Sequence, residues 1–320
     1  ECTRRKLVGL YLRRRPPQAL RSDPMTLPID AHVHVWSSDQ SRYPLARGYN
    51  DWDLWMPSFS PEDHEAIAGT ALPINLVQMT WYGLDHSYIL DLIDSDPDRF
   101  TGTGIVPAIC DVALARPDRV MLDLAGEGIR AFRIRGRGAQ PPREHATETW
   151  LEHRHYERMF DCAAEHDLVL SFLCAPADLA EIGRMCERFP ETRVVVDHCG
   201  GVRIRDATID QTDLRLLMAL SEHSKVYVKF GPIHGLGDVG PSEEPVFSDV
   251  LELLQPLVTA FGSGRLLWES DLGGPVQMVN PQKDFQSCIE LIRNAEFLSA
   301  EQREHILSGN ARKLLWAIPE

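Results

Sequence analysis

The chain lacks most of the marks that assign a protein quickly. No run reaches the roughly 18 apolar residues that a membrane span requires, although 43% of its 320 residues are apolar. No Gly-rich GxGxxG follows the first strand-like segment, which leaves a dinucleotide-binding sheet without support. Seven cysteines are scattered without a CxxC pair. That fits neither a disulfide framework nor a Cys-rich zinc site, and a reducing cytoplasm is the simplest compartment. Positive charge is scarce. There are 33 Lys and Arg against 47 Asp and Glu, a formal net charge of -14, which argues against nucleic acid and membrane surfaces as partners. Internal repeats and low-complexity blocks are also missing.

The positive charge that exists collects at the start. Residues 1–24 hold seven Lys/Arg and two acids, a net of +5, and leave -19 for the rest. Their apolar stretch LVGLYL is too short for the core of a secretory signal. These residues are expected to be a basic leader or an N-terminal extension, with Met25 as a second start and one domain over residues 25–320.

From residue 29 onward, short strand-like runs alternate with helix-period stretches. The strand candidates are 29–35, 74–80, 103–109, 129–135, 168–174, 193–199, 225–231 and 265–271. Ser60 before Pro61 and two acids reads as a helix start. Eight strands alternating with helices predict the α/β class, as a single-domain (β/α)8 TIM barrel, with an open doubly wound sheet as the alternative. The long loops 36–60, 136–150 and 232–246 all follow strands. In a barrel they lie at the C-terminal face, where active sites sit.

The first run, PIDAHVHV, carries an oddity. Strict alternation puts Ile29, Ala31, Val33 and Val35 on one face and Asp30, His32 and His34 on the other. Two imidazoles facing a barrel interior need a partner that offsets their burial. Run 193–199 brings His198 near its end, and run 265–271 ends in Asp271. Three His and one Asp at the C-terminal ends of strands would converge at the barrel mouth. Such a set suits zinc or a similar divalent ion, although a lone His or Asp at a strand end is more often a loop anchor.

In IRAFRIR (129–135), Phe132 and Ile134 share one face, and Arg133 and Arg135 the other. The outer face of a barrel strand packs on helices, so the arginines turn inward. An unpaired guanidinium is costly there, and they need Glu269, Asp271 or a substrate carboxylate. Arg137 and Arg143 extend the cluster. Lys229 shares a face with Tyr227 and pairs with an acid or takes part in chemistry. Trp81 and His234 follow strands two and seven and are candidate pocket residues. Tyr49, Trp52 and Trp55 are ring-stacking residues or a plug over the barrel.

The segments IDAHVHVW, VVVDHCGG, VYVKFG and LLWESDLGG together resemble the amidohydrolase superfamily, in particular its amidohydrolase-related branch of TIM-barrel hydrolases. That branch includes fuconolactonase-like and 2-pyrone-4,6-dicarboxylate lactonase-like enzymes and related decarboxylases. The resemblance covers residues 28–317, and HxH after Ile-Asp is its most specific motif. It implies that His32 and His34 are the first-strand pair, that His198 is the His of the DHxG strand, and that Asp271 is the Asp that orients or deprotonates the attacking water. It also implies a divalent metal ion, zinc first. Some lactonases of the branch work without metal, so a metal-free site stays open. Two departures stand out. LVLSFLCAP has no fifth-strand His or Lys, with Cys174 near that place, and Leu272-Gly273-Gly274 replaces the usual aromatic and Pro.

The expected function is a hydrolase that opens a lactone or similar cyclic ester of an anionic or hydroxyl-rich small molecule. A metal-dependent non-oxidative decarboxylase and a catalytically inactive binding barrel are the alternatives. A homo-oligomer is left open.

Overall fold

Strand β1 (Asp30–His34) pairs with β2 (Ile74–Val77), and the series continues in chain order. It runs through β3 (Phe100–Ile105), β4 (Ile129–Arg135), β5 (Val169–Leu173), β6 (Arg193–Val196), β7 (Val226–Phe230) and β8 (Leu266–Trp268). Every neighbouring pair is parallel. The computed structural model describes residues 27–106, 116–137, 150–243 and 246–316. The ring closes just past β8, where the chain returns to β1. Asp271 N donates to His32 O at 3.0 Å, His34 N donates to Leu272 O at 2.9 Å, and Val33 bridges Leu272 in parallel. This is the expected (β/α)8 barrel. The proposed leader and Arg143 lie outside the described residues.

Helices α1 (Pro61–Ala68), α2 (Ser87–Ser95), α3 (Pro117–Gly126), α4 (Arg154–Glu165), α5 (Leu179–Arg188), α6 (Gln211–Ala219), α7 (Leu251–Phe261) and α8 (Pro281–Arg293) intervene between strands or follow β8. The start at Ser60 is as expected. Its side chain accepts from Asp63 N, and Asp63 returns a bond to Ser60 N, which is a capping box. Helices α9 (Ala300–Glu304) and α10 (Asn310–Leu315) are joined by a π-turn at His305–Gly309. Leu314 and Leu315 close the barrel floor against Ala31, Ala131, Val169, Val195 and Leu267. The floor is apolar, and polar side chains begin one layer above it.

Several expectations needed correction. Strand β3 starts at Phe100, three residues early, because two glycines hide it. A Cβ on Gly102 would stand 2.4 Å from Ile129 Cδ1 and 3.0 Å from Ile93 Cδ1, so a larger residue there requires both side chains to move. The ends of runs 193–199 and 265–271 leave the ladder after Val196 and Trp268 and become turns. Helices α3 and α8, and a small ribbon of Ile204–Arg205 with Thr208–Ile209, were not foreseen.

Strand β1 also breaks strict alternation. Its register to β2 slips between Asp30 and Val33. Ile29 and Ala31 join the barrel floor, whereas Val33 and Val35 join the layer beneath the helices. Such a bulge re-aims side chains. It turns His32 and His34 inward while Asp30 turns outward to His64 on α1.

Candidate active site

Above the floor, the barrel interior fills with charge. Lys229 on β7 stands 2.9 Å from Asp197 Oδ1 and 3.1 Å from His32 Nδ1. Asp197 also accepts from Ser171 Oγ at 2.8 Å, and Arg133 Nε lies 3.5 Å from its Oδ2. All five side chains are buried. Burial alone would raise the Asp197 carboxyl, but Lys229 and Arg133 outweigh it and hold the group well below the usual carboxylate range. Removing a partner from such a buried set leaves a charge without compensation.

The next layer up is the imidazole pair. His32 Nε2 lies 3.2 Å from His34 Nε2. His34 Nδ1 donates to the Val77 carbonyl at 3.0 Å, which leaves its Nε2 as a lone pair. Burial pushes both rings well below the ordinary histidine range. Lys229 acts in the same direction on His32, and Arg133 on His34. Both are therefore neutral at pH 7. His34 Nε2 can ligate as it stands, and His32 Nε2 can do so in the tautomer whose Nδ1–H faces Glu269 Oε2 at 3.2 Å.

Asp271 faces this pair. Its Oδ1 lies 3.7 Å from His32 Nε2 and 3.6 Å from His34 Nε2, and it has no hydrogen bond among the described residues. Burial pushes its carboxyl up to about 6, with Glu269 adding to the shift and His198 opposing it. The backbone of Asp271 is left-handed, with φ of 54°. A side chain there is held at some cost, a pattern that clusters at functional sites. A Cβ on Gly273 would meet His34 O at 2.1 Å, and one on Gly274 would meet Asp271 Oδ2 at 2.5 Å. The Leu-Gly-Gly departure thus lets this turn close on β1 and keeps Oδ2 unobstructed.

His198 sits in a run of left-handed residues, with φ of 53° at His198, 52° at Cys199 and 63° at Gly200. Its Nδ1 bonds Glu269 Oε1 at 2.7 Å, and its ring centroid lies 4.7 Å from that of His32. Burial opposes a charge on His198, but Glu269 and Asp271 more than offset it and raise the group. Nε2 is the open end of the ring.

Two groups can hold a cation among the described residues: His32, His34 and Asp271, or His32, His198 and Glu269. The second is already paired within itself, and the Lys229 ammonium beside His32 Nδ1 repels a cation there. The first fits an ion. A point equidistant from the two Nε2 atoms and Asp271 Oδ1 lies about 2.0 Å from each, within the range of zinc bonds to nitrogen and oxygen. The orphaned Oδ1 supports the same site. His198, the fourth predicted ligand, stands outside this trio.

The other predicted residues divide. Arg133 and Lys229 are in the cluster. Arg135 lies beside it on β4 and donates to Thr80 Oγ1 at 2.5 Å. Arg137 turns to Glu181, a protein carboxylate. Trp81 is buried edge-on between Trp36 and Trp55, at 4.9 and 4.8 Å, as part of a plug. Trp55 anchors that plug by donating to Gly273 O at 3.1 Å, whereas Trp52 is fully exposed. His234 donates to Val276 O at 3.1 Å and belongs to neither candidate cation group. Sequence reasoning missed Asp197 and Ser171, and it read Glu269 only as a counter-ion for arginine. Asp197 shares the inward face of Val195, a signal that was available.

A family profile described as "Amidohydrolase" matches residues 29–316. An L-fucono-1,5-lactonase from Burkholderia ambifaria is 25% identical over 300 residues, spanning 90% of this chain and 94% of that protein. An amidohydrolase crystal structure from Burkholderia multivorans with bound zinc superposes with a TM-score of 0.69 at 17% identity, over 92% of this chain and 100% of the other. A probable 2-pyrone-4,6-dicarboxylic acid hydrolase from Acinetobacter baumannii with bound citric acid gives 0.67 at 17%, over 90% and 99%. At these identities the two structures support the fold. No helix among the described residues is long and apolar enough to cross a membrane.

Proposed function

The chain belongs to the amidohydrolase family, as an enzyme rather than an inactive barrel, and from that premise we propose that it opens a lactone or similar cyclic ester with activated water. The observation that carries this reading is the Asp271 carboxylate. It is buried, poised at about 6 and aimed at two neutral imidazoles. A general base works best with a pKa near the operating pH.

Asp271 Oδ2 takes the proton from water as the oxygen attacks the carbonyl carbon. The developing oxyanion accepts from His198 Nε2–H, while Glu269 holds the other ring nitrogen and stabilises the charge on the imidazole. Collapse of the tetrahedral centre breaks the ring C–O bond, and the proton on Asp271 passes to the leaving alkoxide. The product is a hydroxy acid. A divalent ion held by His32 Nε2, His34 Nε2 and Asp271 Oδ1 would supply Lewis-acid polarisation of the carbonyl. Zinc is the metal proposed, on the donor set and its spacing. Arg133 and Arg135 favour a substrate bearing a carboxylate or many hydroxyls. Trp81, Arg137 and His234 shape the surrounding walls through their own protein partners.

The likeness to an L-fucono-1,5-lactonase favours a sugar lactone over a carboxylated pyrone. The test is a pH-stat screen of five- and six-membered sugar lactones and carboxylated lactones, with carbon dioxide trapped from aromatic acids in parallel. Acid release from a sugar lactone is expected. Carbon dioxide release without acid from any lactone would replace this reading with the decarboxylase.

A further inference from the structure

Outside the barrel wall, a second buried polar cluster is left unused by this chemistry. Asp30 is fully buried, and no Lys or Arg pairs with it among the described residues. Four donors hold it instead. Ser270 N reaches Oδ1 at 2.9 Å, His32 N reaches Oδ1 at 3.3 Å, Ser270 Oγ reaches Oδ2 at 2.5 Å, and His64 Nε2 reaches Oδ2 at 3.0 Å. His64 lies on α1 and is itself fully buried, with its ring edge-on to Phe285 and its Nδ1 without a hydrogen bond among the described residues. A carboxylate oxygen only accepts, so the edge of the ring that meets Asp30 carries a proton on Nε2.

Ser270 is the link to the site. Its hydroxyl donates to Asp30 and accepts from Leu272 N at 3.0 Å, so it spans Asp271 on both sides. Asp271 N is fixed to His32 O, and Gly274 N to Asp271 O at 2.8 Å. The left-handed Asp271 is therefore held on its N-terminal side by bonds to β1, through His32 O and the Ser270–Asp30 contacts, and on its C-terminal side by a bond within its own turn. We propose that Asp30, Ser270 and His64 form a bracket of positioning residues, which transmits the packing of α1 to the carboxylate of Asp271. The inference rests on the reading of Asp271 as the base. A misplacement of about 1 Å can cost roughly 100-fold in rate even when the cause lies away from the chemistry.

The test uses Ser270→Ala, Asp30→Asn, His64→Leu and His64→Gln in the full chain, with Asp271→Asn as the reference. On the best lactone from the screen, Ser270→Ala and Asp30→Asn are expected to lose about 10- to 100-fold in kcat with KM within about 3-fold. His64→Leu should lose kcat, and His64→Gln, which keeps a donor, should recover most of it. Amide exchange at Asp271 and Leu272 should speed up in the same variants before exchange rises elsewhere. If Asp30→Asn does not fold, the two His64 variants carry the test, since they change only the outer end of the bracket. Unchanged kcat and unchanged exchange at Asp271, with only a lower Tm, would overturn the proposal. An active Asp271→Asn would remove the base assignment instead, while the exchange data would still report on the bracket.

Discussion

Lys229 Nζ lies 2.9 Å from Asp197 Oδ1, with both side chains buried at the centre of the barrel. The pair is 32 positions apart in sequence and joins β7 to the turn that follows the neighbouring β6. It sits directly beneath the imidazole pair, because the same ammonium reaches His32 Nδ1. Charge balance in this layer therefore supports both the fold and the orientation of His32.

Lys229→Met should destabilise the protein by about 3–5 kcal/mol, because Asp197 would keep its buried charge with one cation fewer. Urea denaturation at pH 7 checks this. A loss below about 1 kcal/mol would mean that Arg133 alone suffices.

The pH dependence of Asp271 has a definite sign. Its folded-state value of about 6 lies above the ordinary carboxylate value of roughly 3.9. Its contribution to stability is thus fully present below about pH 4 and is lost as pH rises through 6. Asp271→Asn removes that loss and should be more stable than the parent at pH 8, by on the order of 2–3 kcal/mol. In metal-stripped protein, kcat/KM should fall below pH 6 as the base protonates. A rate flat from pH 5 to 8 would contradict this.

Zinc should bind at one site per chain. His32→Asn and His34→Asn should each abolish stoichiometric zinc, and His234→Asn should leave it intact, as measured by equilibrium dialysis and elemental analysis. Retention by the His34 variant would move the ion to His198 and Glu269.

Gly273→Ala places a Cβ 2.1 Å from the His34 carbonyl at a φ of 75°. It should cost on the order of 1–3 kcal/mol and loosen the turn that carries Asp271. A thermal melt within 1 °C of the parent would show that the turn can shift at no cost.

The barrel, the inward HxH pair and the inward arginines were legible because strand alternation separates an apolar outer face from a polar inner one. The bulge in β1 was not, since Ala31 and Val33 are both apolar and a slip between them leaves the pattern unchanged. The partners of the charged groups were also hidden. Nothing local says that Arg137 meets Glu181 or that Glu269 meets His198. Those pairings exist only once the ring closes. The role of Gly273 and Gly274 was visible only as a departure, and its reason is the proximity of β1.

The most direct test is kcat/KM of Asp271→Asn on a sugar lactone that the parent hydrolyses, with far-UV circular dichroism as the control for folding. A fall of at least about 1,000-fold with an unchanged spectrum is the expected result, in keeping with the worth of a positioned base. Turnover within about 3-fold of the parent would contradict the assignment of Asp271 as the group that activates water.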